Sequence, residues 1–383
     1  MALAAHEARL IIAASEQDSN LYYATRFLAP DAFIFFQDHR ARLLLMSDLE
    51  LDRAKAQATV DTVLSYSDYE AKARAETGSA PTLIQTLSVL LRERQITRLL
   101  VPADFPLSHA DGLRQAGFQV EAQPNPYFPE RLVKRRDEIE AITAAQRATE
   151  TAVDEAIRLI AASRIRDELL YAPANGDGTD APLTSERIKQ AINLKLMELG
   201  YVAQHTIVAC GRQACDPHNE GSGPLRAHQP IILDVFPRSS STRYFADMTR
   251  TIVKGRASDG QKRLYDLVQQ GQQIAFERIK AGADGQAIHE AITALFEKAG
   301  CPSGLINGRM QGYFHGTGHG VGLDIHEAPR ISRSGSRLEA GHVVTVEPGL
   351  YYPDIGAVRL EDLVVVTESG CINLTTYPKI LEV

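Results

Sequence analysis

Residues 315–329, HGTGHGVGLDIHEAP, contain three of the chain's eleven histidines. Glycine occupies every second position from Gly316 to Gly322, which disfavours a helix because each interior glycine costs roughly 1 kcal/mol relative to alanine. In an extended segment the side chains alternate between two faces, so the glycines would share one face and His315 and His319 the other. The bare face predicts that another backbone packs closely against it. A flexible loop with solvated histidines is the alternative.

Four acidic residues within apolar, strand-like segments are the second chemical signal. Asp234 lies in QPIILDVF, Asp247 in TRYFADMTRTIV, Glu347 in HVVTVEPGLYY and Glu361 in AVRLEDLVVVT. In an antiparallel hairpin, residues equidistant from the turn face each other, with Cβ atoms about 4.5–5.5 Å apart. The midpoint of the first pair falls in a run of serines, and that of the second falls in the turn PDIG. Each hairpin is therefore predicted to place its own two acids opposite one another.

Carboxylates that face each other in a partly buried sheet repel one another and lose solvation. Either one acid of each pair holds a proton, or a multivalent cation lies between them. Two pairs at matched positions, with histidines nearby, favour the cation; separate salt-bridged acids are the simpler alternative. Oxygen donors with one imidazole suit Mn²⁺, Co²⁺ or Zn²⁺. Two such ions would act as Lewis acids and hold a hydroxide between them at neutral pH, so we expect hydrolysis.

The elements that position these residues lie after about residue 130. Helices are predicted over residues 136–163, from a cap at Thr184 or Ser185 to Gly200, and from caps at Asp259 and Asp284. A pair of strands follows each pair of helices, so the order helix, helix, hairpin occurs twice. Corresponding acids of the two hairpins are 113 and 114 residues apart. We interpret this order as a degenerate internal duplication.

The first 125 residues show a different pattern. Apolar runs at residues 9–12, 32–36, 41–46 and 97–102 are typical of strands, and residues 81–94 have helical spacing. This alternation predicts a small α/β domain. Three prolines in AQPNPYFPE, residues 122–130, indicate a boundary. We expect domains over residues 1–127 and 128–383, since 383 residues exceed the usual size of one compact core.

Composition restricts the classes of function. The net charge of −7 argues against a nucleic-acid-binding protein, which usually carries a basic face. Polar and charged residues interrupt the first twenty positions, so no signal-peptide core is expected, and no apolar run approaches the length of a membrane span. Four cysteines are too few for a disulfide scaffold. These features favour a cytoplasmic protein that does not bind membranes.

A second metal site is a weaker alternative. Cys210 and Cys215 lie near His205 and His218 in the sequence, and thiolate with imidazole is a common zinc ligand set. The spacing of four residues between the cysteines is loose for such a site.

In combination, HGTGHGVGLDIHE, LDVF with FADMTRT, VEPGLYY and VRLEDLVVVT closely resemble the motifs of the pita-bread metallopeptidases. That family includes methionine aminopeptidase, aminopeptidase P and prolidase. The resemblance covers the chain after about residue 130, and the N-terminal domain resembles that of the creatinase, prolidase and aminopeptidase P branch. It implies an α/β N-terminal domain and an α+β pita-bread catalytic domain with an internal pseudo-twofold duplication.

The resemblance also implies a ligand set for two divalent ions per chain, with Mn²⁺ favoured. Asp234 would chelate one ion, and Asp247 and Glu361 would bridge both. His319 and Glu347 would ligate the second ion, and Glu347 would also handle the proton of the bridging water.

Other residues match positions around the family's metals. His326 and His218 match outer-sphere histidines that hold the substrate and stabilise the tetrahedral intermediate, and His315 lines the family's pocket. Arg359 matches an arginine that would orient Glu361, with an ordinary surface arginine as the alternative. The family usually places ten residues between its two aspartates and this chain has twelve. The extra residues fall at the serine turn, which leaves the ligand assignment intact.

The resemblance implies cleavage of an Xaa-Pro bond at the N-terminus of short peptides. It also implies a homodimer. Such a bond needs a dedicated enzyme because proline lacks an amide hydrogen and restricts the preceding residue. Arg330 and Arg333, in HEAPRISRSG, lie where prolidases bind the free carboxylate of a dipeptide; a solvated basic loop is the alternative. We therefore expect an Xaa-Pro dipeptidase, with aminopeptidase P as the second candidate. The intact ligand set disfavours a metal-free creatinase-type hydrolase or a non-catalytic binding protein.

Overall fold

The computed structural model describes residues 3–173 and 179–383. The chain forms two compact units, Met1–Arg131 and Leu132–Val383. No helix in these described ranges is both long and apolar enough to cross a bilayer.

The first unit is a six-stranded mixed sheet with helices. Its strands are β1 (Glu7–Ala13), β2 (Phe33–Gln37), β3 (Arg42–Met46), β4 (Thr62–Ser65), β5 (Arg98–Pro102) and β6 (Gln119–Gln123). Its helices are α1 (Ser19–Thr25), α2 (Leu51–Gln57), α3 (Tyr66–Thr77), α4 (Leu83–Glu93) and α5 (Leu107–Gln115). The strand order is β4-β3-β2-β1-β5-β6, with β1 antiparallel to β2 and parallel to β5. The predicted α/β character of this region is confirmed.

The second unit contains four long helices and many short strands. Its helices are α6 (Arg136–Ala162), α7 (Ser185–Glu198), α8 (Asp259–Arg278) and α9 (Gly285–Lys298). Its strands before α8 are β7 (Arg164–Arg166), β8 (Leu169–Pro173), β9 (Asp180–Pro182), β10 (Tyr201–Val202), β11 (Ile207–Cys210), β12 (Pro230–Val235), β13 (Arg238–Ser239) and β14 (Met248–Val253). Those after α9 are β15 (Gly304–Ile306), β16 (Arg309–Gln311), β17 (Gly318–Gly320), β18 (Glu327–Ile331), β19 (Val343–Val346), β20 (Gly349–Tyr352), β21 (Gly356–Arg359), β22 (Asp362–Val366) and β23 (Cys371–Asn373).

The helix caps of this unit agree with the sequence at two positions and differ at one. Thr184 and Asp284 cap α7 and α9 as predicted. The predicted cap of α8 at Asp259 is wrong by one residue. The Ser258 hydroxyl accepts from the Gln261 amide, and the Gln261 side chain bonds back to Ser258, which is a capping box.

Each half of the second unit has its own apolar core, as expected of a duplication. Buried side chains of α6 and α7 pack with those of β11, β12 and β14. Buried side chains of α8 and α9 pack with those of β19, β21 and β22. The sheet of the first half has the order β11-β12-β14, and that of the second has the order β18-β17-β19-β22-β23.

The register of the hairpins corrects one prediction and confirms the other. Asp234 pairs with Thr249 rather than with Asp247, because the turn is centred one residue further along the chain than predicted. Residues two apart on a strand face the same side, so Asp247 still shares the face of Asp234. The β19–β22 and β20–β21 ladders share a single register, and that register places Glu347 opposite Glu361.

Candidate metal centre

The second unit contains a cavity of about 980 Å³. The predicted site residues that line it are Asp234, Asp247, Glu347, Glu361, His218, His315, His319, His326, Arg330 and Arg359. Arg333 does not line it; this residue is exposed and lies near enough to His289 to contribute to lowering the pKa of that imidazole, which burial lowers most.

His319, the central histidine of residues 315–329, lies on β17, a strand that packs closely against two neighbouring strands. β17 pairs with β18 and with β19. A Cβ atom on Gly318 would lie 1.9 Å from the Thr345 carbonyl oxygen, and one on Gly320 would lie 2.3 Å from that of Ala328. The glycines therefore permit the close backbone packing that the sequence predicted, and they place His319 between them in a fixed position. The alternative of a flexible loop is excluded for this strand.

The His319 ring presents a free nitrogen to the acids. Its Nδ1 atom lies 3.2 Å from the Gly320 carbonyl oxygen; since a carbonyl only accepts, Nδ1 carries the proton. Its Nε2 atom lies 3.6 Å from Asp247 Oδ2 and 3.3 Å from Glu347 Oε1. Burial, with a smaller effect of His326, lowers the pKa of His319 to about 3. The neutral ring thus directs a lone pair toward carboxylates, an arrangement that a metal ion would stabilise.

The carboxylates also lack partners for some of their oxygens. Among the described residues, no hydrogen-bond donor reaches Asp234 Oδ1, Asp247 Oδ1 or Glu361 Oε1, although all three atoms are buried. Burial and then the neighbouring carboxylates raise the pKa of Asp247 and that of Glu361. Ligand atoms of Asp247, His319 and Glu361 lie within 4.8 Å of one another. Unsatisfied buried acceptors beside a neutral imidazole fit a site for divalent cations.

Arg359 contacts a different acid from the one expected. Its Nη2 atom donates to Asp234 Oδ2 at 2.6 Å, whereas Glu361 was the predicted partner. Its Nε atom donates to the Thr249 hydroxyl at 3.3 Å, and that hydroxyl donates to Glu361 Oε2 at 2.7 Å. Arg359 therefore reaches Glu361 only through Thr249. Arg359 is 3% exposed, which excludes an ordinary surface arginine.

His315 belongs to the same buried network. Its Nδ1 atom donates to the Gly316 carbonyl oxygen at 2.8 Å, and its Nε2 atom accepts from the Tyr351 hydroxyl at 2.9 Å. Tyr351 in turn accepts from Arg359 Nη1 at 2.9 Å. Burial lowers the pKa of His315 to about 3, so the ring is neutral and both of its nitrogens are occupied by protein groups.

The remaining predicted residues lie at the accessible part of the cavity. His326 and His218 are exposed, and the His326 ring lies 4.4 Å from that of His319, measured between centroids. Arg330 is paired with His319 across the β17–β18 ladder, and paired residues project from the same face of a sheet. Its exposed side chain thus belongs to the side of the cavity that carries His319, a predicted metal ligand.

Three residues that the sequence did not single out support the ligands. Thr249 bonds to Glu361 as described, and Tyr351 connects Arg359 with His315. The Thr345 hydroxyl accepts from the His319 amide at 3.1 Å and donates to Glu347 Oε1 at 3.3 Å. Thr249 and Thr345 each lie two residues from a predicted ligand on the same strand face, and this spacing was a signal in the sequence.

The alternative zinc site is not formed within the described ranges. The Cys210 and Cys215 thiols donate to the Arg226 and Gly211 carbonyl oxygens, respectively, and neither belongs to a group of potential ligands.

Comparisons with known proteins agree with this geometry. Residues 140–368 match the model of metallopeptidase family M24. The chain belongs to this family, and the resemblance inferred from the motifs is confirmed.

An Xaa-Pro dipeptidase of Pyrococcus furiosus is 31% identical over 247 residues, which cover 64% of this chain and 63% of that protein. The chain spans about half to two thirds of the length of the first curated relatives that it matches. An X-Pro aminopeptidase structure from Thermotoga maritima has a TM-score of 0.80 at 24% identity and covers 99% of this chain and 98% of its own. An Xaa-Pro dipeptidase structure from Bacillus anthracis has a TM-score of 0.81 at 23% identity, with coverages of 98% and 95%. These two structures share the fold of this chain, and the predicted fold class is confirmed.

Proposed function

We propose that this chain is a dinuclear-metal hydrolase that cleaves Xaa-Pro dipeptides. The observation that carries the proposal is the position of Arg330, opposite His319 and in the same cavity as the four acids. A cation at this place would bind the free carboxylate of a dipeptide whose scissile bond lies over the acids. The name of the 31% identical relative supports the same substrate class.

The proposed ligands are Asp234, Asp247, His319, Glu347 and Glu361. Two divalent cations held there, Mn²⁺ by preference and Co²⁺ or Zn²⁺ otherwise, would supply Lewis acidity and a water-derived nucleophile at neutral pH. The His319 ring is held in the tautomer that leaves Nε2 free for ligation, because Nδ1 donates a hydrogen bond to the Gly320 carbonyl oxygen.

The chain's own residues would handle the proton and the substrate. The Glu347 side chain is 18% exposed, more than those of Asp234 and Asp247, so its carboxylate faces the space that a peptide would occupy. We propose that it accepts a proton from the attacking water and delivers it to the proline nitrogen as that bond breaks. His326 and His218 would bind the substrate carbonyl and the developing oxyanion from the exposed side of the cavity.

The other predicted residues have narrower roles in this proposal. His315 would form the wall of the cavity rather than contact the peptide, since protein groups occupy both of its nitrogens. Arg359 would hold Asp234 in place. Arg333 would assist Arg330 only from outside the cavity.

Aminopeptidase P activity on longer peptides is the second candidate, because the X-Pro aminopeptidase structure has the same fold as this chain. Turnover of Ala-Pro and Ala-Pro-Ala with Mn²⁺, Co²⁺ and Zn²⁺ separates the two. Rapid cleavage of Ala-Pro with little cleavage of Ala-Pro-Ala supports a dipeptidase. Rapid cleavage of the tripeptide contradicts it in favour of the aminopeptidase.

The proposal extends to the state of the protein in the cell. We propose a homodimer in the cytoplasm that acts on short proline-containing peptides. The four cysteines are free thiols, the state that a reducing compartment favours. Light scattering of the purified protein tests the dimer through its mass.

A further inference from the structure

A buried glutamine on α8 contacts the strands that carry two of the acids. Gln272 is 1% exposed, and its amide nitrogen donates to the Val346 carbonyl oxygen at 2.9 Å and to that of Leu360 at 3.0 Å. These two residues immediately precede Glu347 and Glu361. One side-chain amide therefore joins the backbones that present both acids of the second hairpin.

The orientation of the Gln272 amide is fixed, and this orientation leaves its oxygen without a hydrogen bond. Both neighbours are carbonyl oxygens, so only the nitrogen of Gln272 can face them. Its own Oε1 atom is buried without a hydrogen-bond partner among the described residues. The surrounding core, which includes Val346 and Leu360, is apolar. An apolar side chain of the same length would avoid the unsatisfied oxygen, but it would leave the Val346 and Leu360 carbonyl oxygens without this donor. What the glutamine adds is the link between these two backbones.

A second buried glutamine, in the first half of the unit, likewise contacts the backbone of an acid. Gln146 on α6 is fully buried. Its Oε1 atom accepts from the Asp247 amide at 3.2 Å, and its nitrogen donates to the Thr375 hydroxyl at 2.9 Å. Each glutamine lies on the first helix of its half, and neither lines the cavity. The side-chain amides of two helix residues thus contact the backbone at Asp247 and at the residues just before Glu347 and Glu361.

We propose that Gln146 and Gln272 are positioning residues that set the spacing of Asp247, Glu347 and Glu361 for a pair of cations. This inference rests on the proposed dinuclear metal function. The physical need is clear, since the acids repel one another whenever the cations are absent, and restraints on their backbones add to the side-chain contacts that keep them at ligating distance. Loss of a restraint lets the strand ends separate, and each ion then loses part of its ligand geometry. Groups that orient metal ligands in this way typically contribute about 10- to 100-fold in metal affinity.

The test is calorimetric titration of Mn²⁺ into EDTA-treated, dialysed full-length protein. Methionine has a similar length to glutamine and no donor, so Q272M removes both hydrogen bonds with little change in volume. We expect Q272M to bind Mn²⁺ about 10- to 100-fold more weakly than the unmodified protein. The matched control is Q273M, because Gln273 is the next residue on α8, is exposed, and its side chain bonds to Glu277 on the same helix. It should bind Mn²⁺ with unchanged affinity.

A spectroscopic measurement adds a readout that a purely structural role would not change. Two Mn²⁺ ions that share bridging carboxylates are magnetically coupled, whereas separate ions give an uncoupled signal in electron paramagnetic resonance. Q272M at saturating Mn²⁺ should show a larger uncoupled fraction than Q273M. If Q272M does not fold, Q146M tests the inference in the same two assays, since it removes the acceptor of the Asp247 amide.

The outcomes separate this inference from the proposed function. Coupled Mn²⁺ pairs of unchanged affinity in the folded glutamine variants would overturn the inference and leave the proposed function intact. Absence of Mn²⁺ binding in the unmodified protein would overturn both.

Discussion

The Thr249 hydroxyl lies 2.7 Å from Glu361 Oε2, and Thr249 is also the residue that pairs with Asp234 in the first hairpin. This hydrogen bond therefore connects the two halves of the duplicated unit at the candidate metal centre. Arg359 makes the reciprocal connection, from the second hairpin to Asp234 Oδ2 at 2.6 Å. Two crossing contacts, one from each half, keep the acids of both hairpins at one site.

Removal of the first contact should weaken the centre without unfolding it. T249V replaces the hydroxyl with a methyl group of similar size, which leaves Glu361 Oε2 without this donor and the Nε atom of Arg359 without its acceptor. We expect Mn²⁺ affinity to fall about 10-fold or more, as for other groups that orient metal ligands. T249S keeps the hydroxyl and should bind Mn²⁺ nearly as the unmodified protein does. Equal affinities of T249V and T249S in a calorimetric titration would contradict this role.

Variants of Arg330 and Arg333 can be compared to test how the substrate carboxylate is bound, because Arg330 lines the cavity and Arg333 does not. R330A should lower kcat/KM for Ala-Pro by about 10- to 150-fold, the value of one charge-assisted hydrogen bond. R333A should change it little. The measurement is steady-state turnover of Ala-Pro by both variants with Mn²⁺ present. A larger loss in R333A than in R330A would show that the carboxylate lies elsewhere.

The metal-free protein should lose stability through Glu347 as the pH rises. Burial, opposed by Arg359 and reinforced by Asp234, raises the pKa of Glu347 from 4.5 to about 7. The folded protein then binds more protons than the unfolded chain between these two values, so this group's contribution is present below about pH 4.5 and is lost as the pH passes through 7.

Comparison with E347Q isolates this contribution, because His315 and His319 have lowered pKa values in the folded protein and therefore add stability as the pH rises. In urea unfolding with EDTA, E347Q should gain stability relative to the unmodified protein between pH 4.5 and 7. An unchanged difference across that range would contradict the predicted shift.

The sequence predicted the chemistry of the site better than its geometry. The four acids were singled out from their positions within apolar strands, because buried acids need a counter-charge wherever they lie, and the resemblance to the family implied His319 as the fifth ligand. The opposition of Glu347 and Glu361 followed from the tight PDIG turn. The pairing of Asp234 with Asp247 did not hold, because a run of serines allows the turn to shift by one residue and each shift moves the partner by two.

The contacts of the residues that support the acids could not be predicted, because they join parts of the chain that are far apart in the sequence. Gln146 and Gln272 lie on helices 101 and 74 residues away from the backbone atoms that they first contact, and helical periodicity reports only that these positions are buried. Arg359 was expected to orient Glu361, two residues away in the sequence, but it bonds directly to Asp234, 125 residues away. Packing within each half brings each glutamine to its strand, and packing of the two halves against each other brings Arg359 to Asp234.

The central claim is that the four acids and His319 hold two cations, and metal analysis after dialysis tests it most directly. The purified protein, incubated with Mn²⁺ and dialysed, should retain two ions per chain by elemental analysis. D247N removes a proposed bridging charge and should retain fewer than one, while folding as judged by circular dichroism. Fewer than one ion per chain in the unmodified protein, or equal retention by D247N, would contradict the account.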